Sequence, residues 1–370
     1  LSKLEQDEPT NGLTLCNVSR SFGARRAVND VSFGVCSSEV LCILGPSGCG
    51  KSTTLRIAAG LERADSGRIY IGGNLVEGRD GERYYNVPPE KRGVGLMFQD
   101  YALFPHLSVR DNIAFGLKGL PRDERARRVA REIDAIGLSH LADSFPHTLS
   151  GGEQQRVALA RMLAPHPSVV LMDEPFSGLD TSLRESLRRT TLQHLRDAGA
   201  AVVIVTHDPD EALRLGDQVV LMREGRIVQS GTPLEIHSRP VDRQAAALVG
   251  GGSLFHARVE GGVVESPFGP VSAPDLPNGG RVEIYYRAAC VRVGNEGVRA
   301  RIRAVRPAPA GLEIEAEIEA SELPEGSEAP DSVLATAQND ANLRVGDEVR
   351  IIADPKNALL FPCLDEPSRA

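Results

Sequence analysis

The run Val40-Leu41-Cys42-Ile43-Leu44-Gly45-Pro46-Ser47-Gly48-Cys49-Gly50-Lys51-Ser52-Thr53 decides the fold. Its first five residues read as a buried strand, and Lys51–Ala59 reads as a helix. Between them, glycines 45, 48 and 50 allow a backbone that wraps tightly. Strand, glycine-rich loop and helix in that order gather backbone N–H groups at a helix N-terminus, which suits a phosphate group. In such a loop Lys51 reaches the β- and γ-phosphates of a nucleotide and the Ser52 hydroxyl can ligate Mg²⁺. Gly45, Pro46, Ser47, Gly48, Cys49, Gly50, Lys51, Ser52 and Thr53 form the candidate nucleotide-binding set.

Outward from this loop, short apolar runs alternate with helical patterns, the mark of an α/β architecture. Leu13–Val18, Val31–Val35, Val94–Phe98, Val169–Met172, Val202–Val205 and Gln218–Met222 read as further strands. Residues 109–164 differ, being Arg/Glu-rich and helical without strands, so they read as a helical insertion. Beyond Gly250-Gly251-Gly252, short alternating runs (Val282–Tyr286, Val298–Val305, Leu312–Ile318, Glu348–Ile352) are broken by Gly, Pro and Asn. That pattern predicts a small all-β domain, a five-stranded barrel of the oligonucleotide/oligosaccharide-binding type. The expected organisation is a phosphate-loop domain over residues 1–240 with its helical subdomain at about 100–164. A linker at 241–252 and the β domain at 253–370 follow.

Bulk properties narrow the classes. The net charge is −8, and residues 251–370 alone carry −7, so no basic footprint for nucleic acid is present. Apolar runs such as Ala200–Val205 are far shorter than the ~20 residues that span a bilayer. Leu1–Thr10 is polar and charged rather than a secretory signal. The six cysteines show no CxxC spacing and no His partner pattern, which favours reduced thiols over a zinc site.

Three more stretches carry chemistry. Val169-Val170-Leu171-Met172-Asp173-Glu174 ends an apolar strand on two acids. Asp173 is placed to hold Mg²⁺ with Ser52, and Glu174 to act as general base on an attacking water. Leu149-Ser150-Gly151-Gly152-Glu153 opens a helix with donors that suit an anion. His207 follows another apolar run.

With those motifs in this order, the chain resembles the nucleotide-binding subunit of an ABC transporter over residues ~11–240. Leu149-Ser150-Gly151-Gly152 matches that family's signature, with Glu153 where Gln is commoner. The resemblance implies a head-to-tail homodimer in which the signature of one copy closes on the γ-phosphate held by the other. It implies that Gln99 senses Mg²⁺ and the attacking water, and that His207 contacts the γ-phosphate. It also implies that Phe22 stacks on adenine, and that Asp180, in Ser177-Gly178-Leu179-Asp180, lies in a loop crossing the dimer interface. ATP and Mg²⁺ are the implied cofactors. Two further departures, Gly178 for a common Ala and Ser37-Ser38-Glu39 for a common Pro-Gly-Glu turn, remove no catalytic group.

The β-rich C-terminal part resembles importer ATPases with a regulatory domain, which serve sugars, polyamines, ferric iron, sulfate or phosphonates. Val87-Pro88-Pro89-Glu90-Lys91-Arg92 and Met97–Leu107 are typical of that group, and Ala358-Leu359-Leu360-Phe361-Pro362 with Glu153 looks most like ferric-iron import. Polyamine import is the next reading. The implied partners are two transmembrane permease subunits and, indirectly, an extracytoplasmic solute-binding protein. The implied location is peripheral, on the cytoplasmic face of the cell membrane. Rivals are an exporter ATPase and a soluble ABC-type protein acting on nucleic acid or ribosomes, though such proteins usually carry two motors or a coiled coil.

Two features stay open. Glu313, Glu315, Glu317 and Glu319 share one strand face, either a solvated surface or a regulatory cation site. Cys49 is either a small tolerated residue or a reactive thiol activated by the helix N-terminus.

Overall fold

The computed structural model describes residues 9–176, 188, 191–308, 311–338 and 342–363. The chain divides into two compact units, residues 1–236 and 237–370. Among the described residues no helix is long and apolar enough to cross a membrane.

The first unit is built on a six-stranded sheet. Its order is Arg226–Gly231, Gln218–Arg223, Val40–Leu44, Ala201–Thr206, Val169–Asp173, Val94–Met97. All neighbours are parallel except the first pair. Val40–Leu44, Ala201–Thr206 and residues 169–172 are buried along their length, as strands covered on both faces must be. A five-stranded antiparallel sheet (Arg25–Val35, Leu13–Phe22, Ser66–Ile71, Asn74–Asp80, Arg83–Asn86) belongs to the same unit. Leu55, Ile57, Ala58 and Ala59 of the helix Lys51–Ala59 share one apolar core with both sheets.

One buried guanidinium fastens that helix. Arg92 is 3 % exposed and donates to the carbonyls of Ile57 (3.0 Å), Ala58 (3.1 Å) and Val87 (2.8 Å). It also pairs with Glu77 at 2.6 Å. The last carbonyls of a helix lack intrahelical partners, and a cation there also suits the negative end of the helix dipole.

The helical insertion has its own core. Val109 and Ile113 of helix Val109–Ala114, Val129 and Ile133 of helix Arg122–Ala135, and Val157 and Ala160 of helix Gly151–Leu163 meet there. The spacings of four and three residues put each pair on one face.

The second unit contains the expected closed five-stranded barrel, with the runs over 298–305, 312–318 and 348–352 in it, whereas Val282–Tyr286 lies in a separate sheet. The barrel order is Arg292–Gly294, Val333–Ala337, Gly311–Ile318, Val298–Ala308, Glu348–Ile352, closed by the pairing of Arg292–Gly294 with Glu348–Ile352. A second five-stranded sheet accompanies it, which the sequence reading missed: Gly269–Ser272, Val263–Ser266, Gly252–Glu260, Arg281–Arg287, Leu359–Pro362. The expected linker also differs, because residues 243–249 form a helix. Asp242 caps its N-terminus at the Ala245 N–H (2.8 Å), and Ala245, Ala246 and Val249 are buried.

The glutamate stripe is settled by its neighbours. Glu313 and Glu315 pair with Arg306, Glu317 with Arg303, and Glu319 with Arg299. The stripe faces three arginines of the adjacent strand, so most of its charge is met without a cation.

Replacing Glu77 with alanine strands the Arg92 charge in the core. Denaturant unfolding should report a loss of roughly 3–5 kcal/mol in the first unit. A change within about 0.5 kcal/mol, the range of ordinary surface substitutions, would show that Arg92 does not depend on this partner.

Candidate active site

Parallel pairing sets the site. Leu44 lies opposite Thr206, and Val205 opposite Asp173, so these strands end at one edge of the sheet. The phosphate loop, Glu174 and His207 all emerge there. Parallel α/β sheets bind ligands outside the carboxyl ends of their strands for this reason.

The loop is packed tightly against its neighbours. A Cβ on Gly45 would come within 2.2 Å of the Met222 carbonyl oxygen. Gly50 has φ +107°, and a Cβ there would lie 2.1 Å from the Ala27 carbonyl oxygen. Only glycine fits either position. Gly50 also caps helix Lys51–Ala59 without any side-chain hydrogen bond, so the helix opens on backbone N–H groups. This cradle fits a phosphate. Pro46, Ser47 and Gly48 are exposed, and Thr53 is half-buried in the first helical turn.

Lys51 is 6 % exposed and donates from Nζ to the Gly45 carbonyl (2.8 Å) and the Pro46 carbonyl (3.0 Å). The Ser52 hydroxyl donates to Asp173 Oδ1 at 3.0 Å. Burial pushes the Asp173 carboxyl above its ordinary range, opposed by the Ser52 hydroxyl and reinforced by Glu174. Two hard oxygen donors thus converge at the end of the loop, a set that suits Mg²⁺. Glu174 has φ +48°, a left-handed backbone rare outside glycine. Its N–H donates to the Val205 carbonyl (2.9 Å), and its Oε1 lies 2.9 Å from His207 Nδ1.

The remaining sequence candidates each have their own surroundings. Gln99 is exposed just past strand Val94–Met97. Phe22 is 47 % exposed, with the Arg20 guanidinium 4.8 Å from its ring centroid. Ser150 caps helix Gly151–Leu163 in a full capping box: Glu153 Oε2 accepts from the Ser150 N–H and hydroxyl, both at 2.8 Å. Those bonds, the backbone one first, hold the Glu153 carboxyl below its ordinary range. Leu149 and Gly152 are buried, and Gly151 is exposed. Asp180 and the rest of Ser177–Asp180 lie outside the described residues.

The structure adds residues that no motif flagged. Arg25 donates to the Gly48 carbonyl (2.6 Å) and braces the loop. From the signature helix, Gln155 donates to the Pro175 carbonyl (2.8 Å). Arg161, from the same helix, donates to the carbonyls of Tyr101 (2.9 Å) and Ala102 (2.8 Å). Tyr101 and Ala102 both have positive φ, so Arg161 fastens a strained loop next to Gln99. Behind His207, Thr206 is hydrogen-bonded to Glu211, which also pairs with Arg188. Polarity is their one visible sequence trait, and most of them sit among other polar residues.

The comparisons agree with this geometry. Residues 28–177 match the family model described as ABC transporter. The chain is 46% identical over 301 residues to the Fe(3+) ions import ATP-binding protein FbpC of Streptomyces coelicolor, covering 80% of this chain and 84% of that protein. It is 44% identical over 250 residues to the sulfate/thiosulfate import ATP-binding protein CysA of Thermosynechococcus vestitus, covering 67% and 72%. Among solved structures it resembles the ATP-binding cassette MJ0796, a dimer in a post-hydrolysis state bound to ADP and Pi. That match has a TM-score of 0.52 and 30% identity, over 60% of this chain and 98% of that one. A nucleotide-binding α/β motor with an inserted helical subdomain is the class that fold and site define. The chain belongs to the ABC transporter family of ATP-binding proteins.

The reactive-thiol reading of Cys49 does not hold. Cys49 is 5 % exposed, and burial pushes its thiol up by more than Lys51 draws it down. Iodoacetamide should therefore label the half-exposed Cys36 and Cys290 well before Cys49. Peptide mass spectrometry over a labelling time course reads the order, and early labelling at Cys49 would restore the reactive thiol.

Proposed function

We propose that the chain is the ATP-hydrolysing motor subunit of an ABC importer, with ferric iron as the transported solute. The observation that carries the motor reading is the pairing of Glu174 with His207 at 2.9 Å beside the Ser52–Asp173 pair at 3.0 Å, at the end of the phosphate loop. The ferric-iron reading is supported by the S. coelicolor relative at 46% identity. The sulfate/thiosulfate relative at 44% identity favours an oxyanion as the second reading.

Hydrolysis transfers the terminal phosphoryl group of ATP to water: the bond to the ADP oxygen breaks as the bond to the water oxygen forms. Glu174 takes the proton from that water, and its left-handed backbone aims the carboxylate along the sheet edge. His207 Nδ1–H holds the carboxylate rotamer and brings the imidazole to the γ-phosphate. Lys51 exchanges its carbonyl partners for phosphoryl oxygens, with the loop N–H groups beside it. Mg²⁺ bound with the nucleotide supplies charge neutralisation at the phosphoryl oxygens. Ser52, Asp173 and Gln99 would hold it, and Phe22 offers a face to adenine.

Ser150 acts on the ATP of a second copy, so two copies make two complete sites. The dimeric MJ0796 cassette supports this arrangement. Two permease subunits would receive the motion, and a solute-binding protein would feed them. The subunit then works as a peripheral protein on the cytoplasmic face.

Glu174→Gln should lower ATP turnover by about 10²–10⁴-fold while equilibrium ATP binding stays within about twofold. Parental turnover in this variant would remove Glu174 as the base. Uptake of radiolabelled ferric iron and sulfate, in cells lacking the gene and complemented with wild type or Lys51→Ala, separates the solutes. Loss of iron uptake alone supports the ferric reading, and loss of sulfate uptake alone replaces it.

A further inference from the structure

His256, Glu283 and Cys363 lie far apart in sequence, yet the second sheet brings them together. His256 sits on strand Gly252–Glu260 directly opposite Glu283 on strand Arg281–Arg287. Glu283 in turn lies opposite Phe361 on strand Leu359–Pro362. The Cys363 N–H continues that pairing by donating to the Arg281 carbonyl at 3.2 Å. Cys363 is two residues beyond Phe361, so the pleat returns its side chain to the face that carries Glu283 and His256.

One imidazole nitrogen, one carboxylate oxygen and the thiol sulfur all lie within 4.8 Å of one another. Among the described residues this is the one group of three such side chains close enough to share an ion. Ligands on a tetrahedral zinc ion are about 3.3–3.8 Å apart, given bonds of about 2.0–2.3 Å. A contraction of about 1 Å, within reach of side-chain rotation, closes the group to that size.

We propose that His256, Glu283 and Cys363 form a binding site for a zinc-type divalent cation. The donor set selects the metal. Imidazole and thiolate suit Zn²⁺ and its first-row neighbours, whereas Mg²⁺, Ca²⁺ and Fe³⁺ favour oxygen. The site is therefore distinct in chemistry from both the nucleotide's Mg²⁺ and the proposed cargo. His256 is 42% exposed and Glu283 12%, which leaves a coordination position for water or an added ligand. Arg243, from the helix Arg243–Val249, pairs with Glu283 Oε1 at 3.1 Å. His256 Nε2 lies 3.8 Å from the same oxygen, so Arg243 orients the carboxylate beside the imidazole, as outer partners of metal ligands do. Binding converts the Cys363 thiol to a thiolate and releases its proton to solvent, so affinity rises with pH. The ion would staple the edge strand Leu359–Pro362 to the two strands inside it.

The test uses the full chain, reduced and stripped with chelator. Titration with Co²⁺ should give a thiolate-to-cobalt charge-transfer band that saturates at one equivalent. Zn²⁺ should displace it and excess Mg²⁺ should not. Cys363→Ser should abolish the band, His256→Ala should weaken Co²⁺ binding at least about tenfold, and both should keep parental ATP turnover. Absence of the band in the wild type, or its survival in Cys363→Ser, overturns the proposal. Should the variants fold poorly, alkylation of the wild type decides: Zn²⁺ should slow iodoacetamide labelling of Cys363 about tenfold or more, because a coordinated thiolate is shielded. Unchanged labelling with Zn²⁺ overturns it equally.

Discussion

The parallel register around strand Val40–Leu44 is the constraint on which the rest depends. Leu44 opposite Thr206, Val205 opposite Asp173, and Met172 opposite Met97 bring four chain exits to one edge of the sheet. The phosphate loop, His207, Glu174 and the Gln99 turn are what those exits become. A slip of one residue would turn Asp173 from one face to the other and separate it from Ser52. Burial on both faces specifies the register, because every residue of the two central strands Val40–Leu44 and Ala201–Thr206 is packed. Hydrophobic burial, not the polar residues, therefore positions the chemistry.

Around that edge the polar residues fix loops rather than strands. Arg92 and Glu77 hold the far end of the phosphate-loop helix, and Arg25 braces the loop itself. Gln155 and Arg161 run from the signature helix to the segments that follow two of the sheet strands. Motion of the helical subdomain would thus be felt at Pro175 and at the turn after Gln99. The Ser150 hydroxyl, meanwhile, is engaged by Glu153 within its own helical turn. A carboxylate there gives the signature a negative charge that a glutamine would not, and in the proposed dimer a γ-phosphate would have to contend with it.

What the sequence made legible was local and periodic. The phosphate loop, the buried strands, the acidic pair and the helical insertion each occupy a short run with its own pattern, and the structure contains those elements. Three of the four alternating runs likewise foretold the barrel, and the fourth, Val282–Tyr286, belongs to the other sheet. The hairpins over residues 66–86 and 252–272 were missed, as was the edge strand Leu359–Pro362. Such strands are marked by turns and long-range pairing, which periodicity does not capture. Arg92 reads in the sequence only as the end of the run Val87–Arg92, and only the fold buries it. The reactive-thiol alternative for Cys49 stayed open because the helix N-terminus is visible in sequence and desolvation is not. His256 and Cys363 carry no spacing signal at all, since their proximity is made by strand pairing across roughly a hundred residues.

The central claim is that one copy carries an incomplete site, finished by Ser150 of a second. The most direct measurement is ATP turnover per subunit across a wide range of protein concentration, with Mg²⁺ and ATP saturating. Turnover per subunit should rise with concentration and then level off as dimers dominate. Constant turnover per subunit down to concentrations at which sedimentation shows only monomer would contradict the claim.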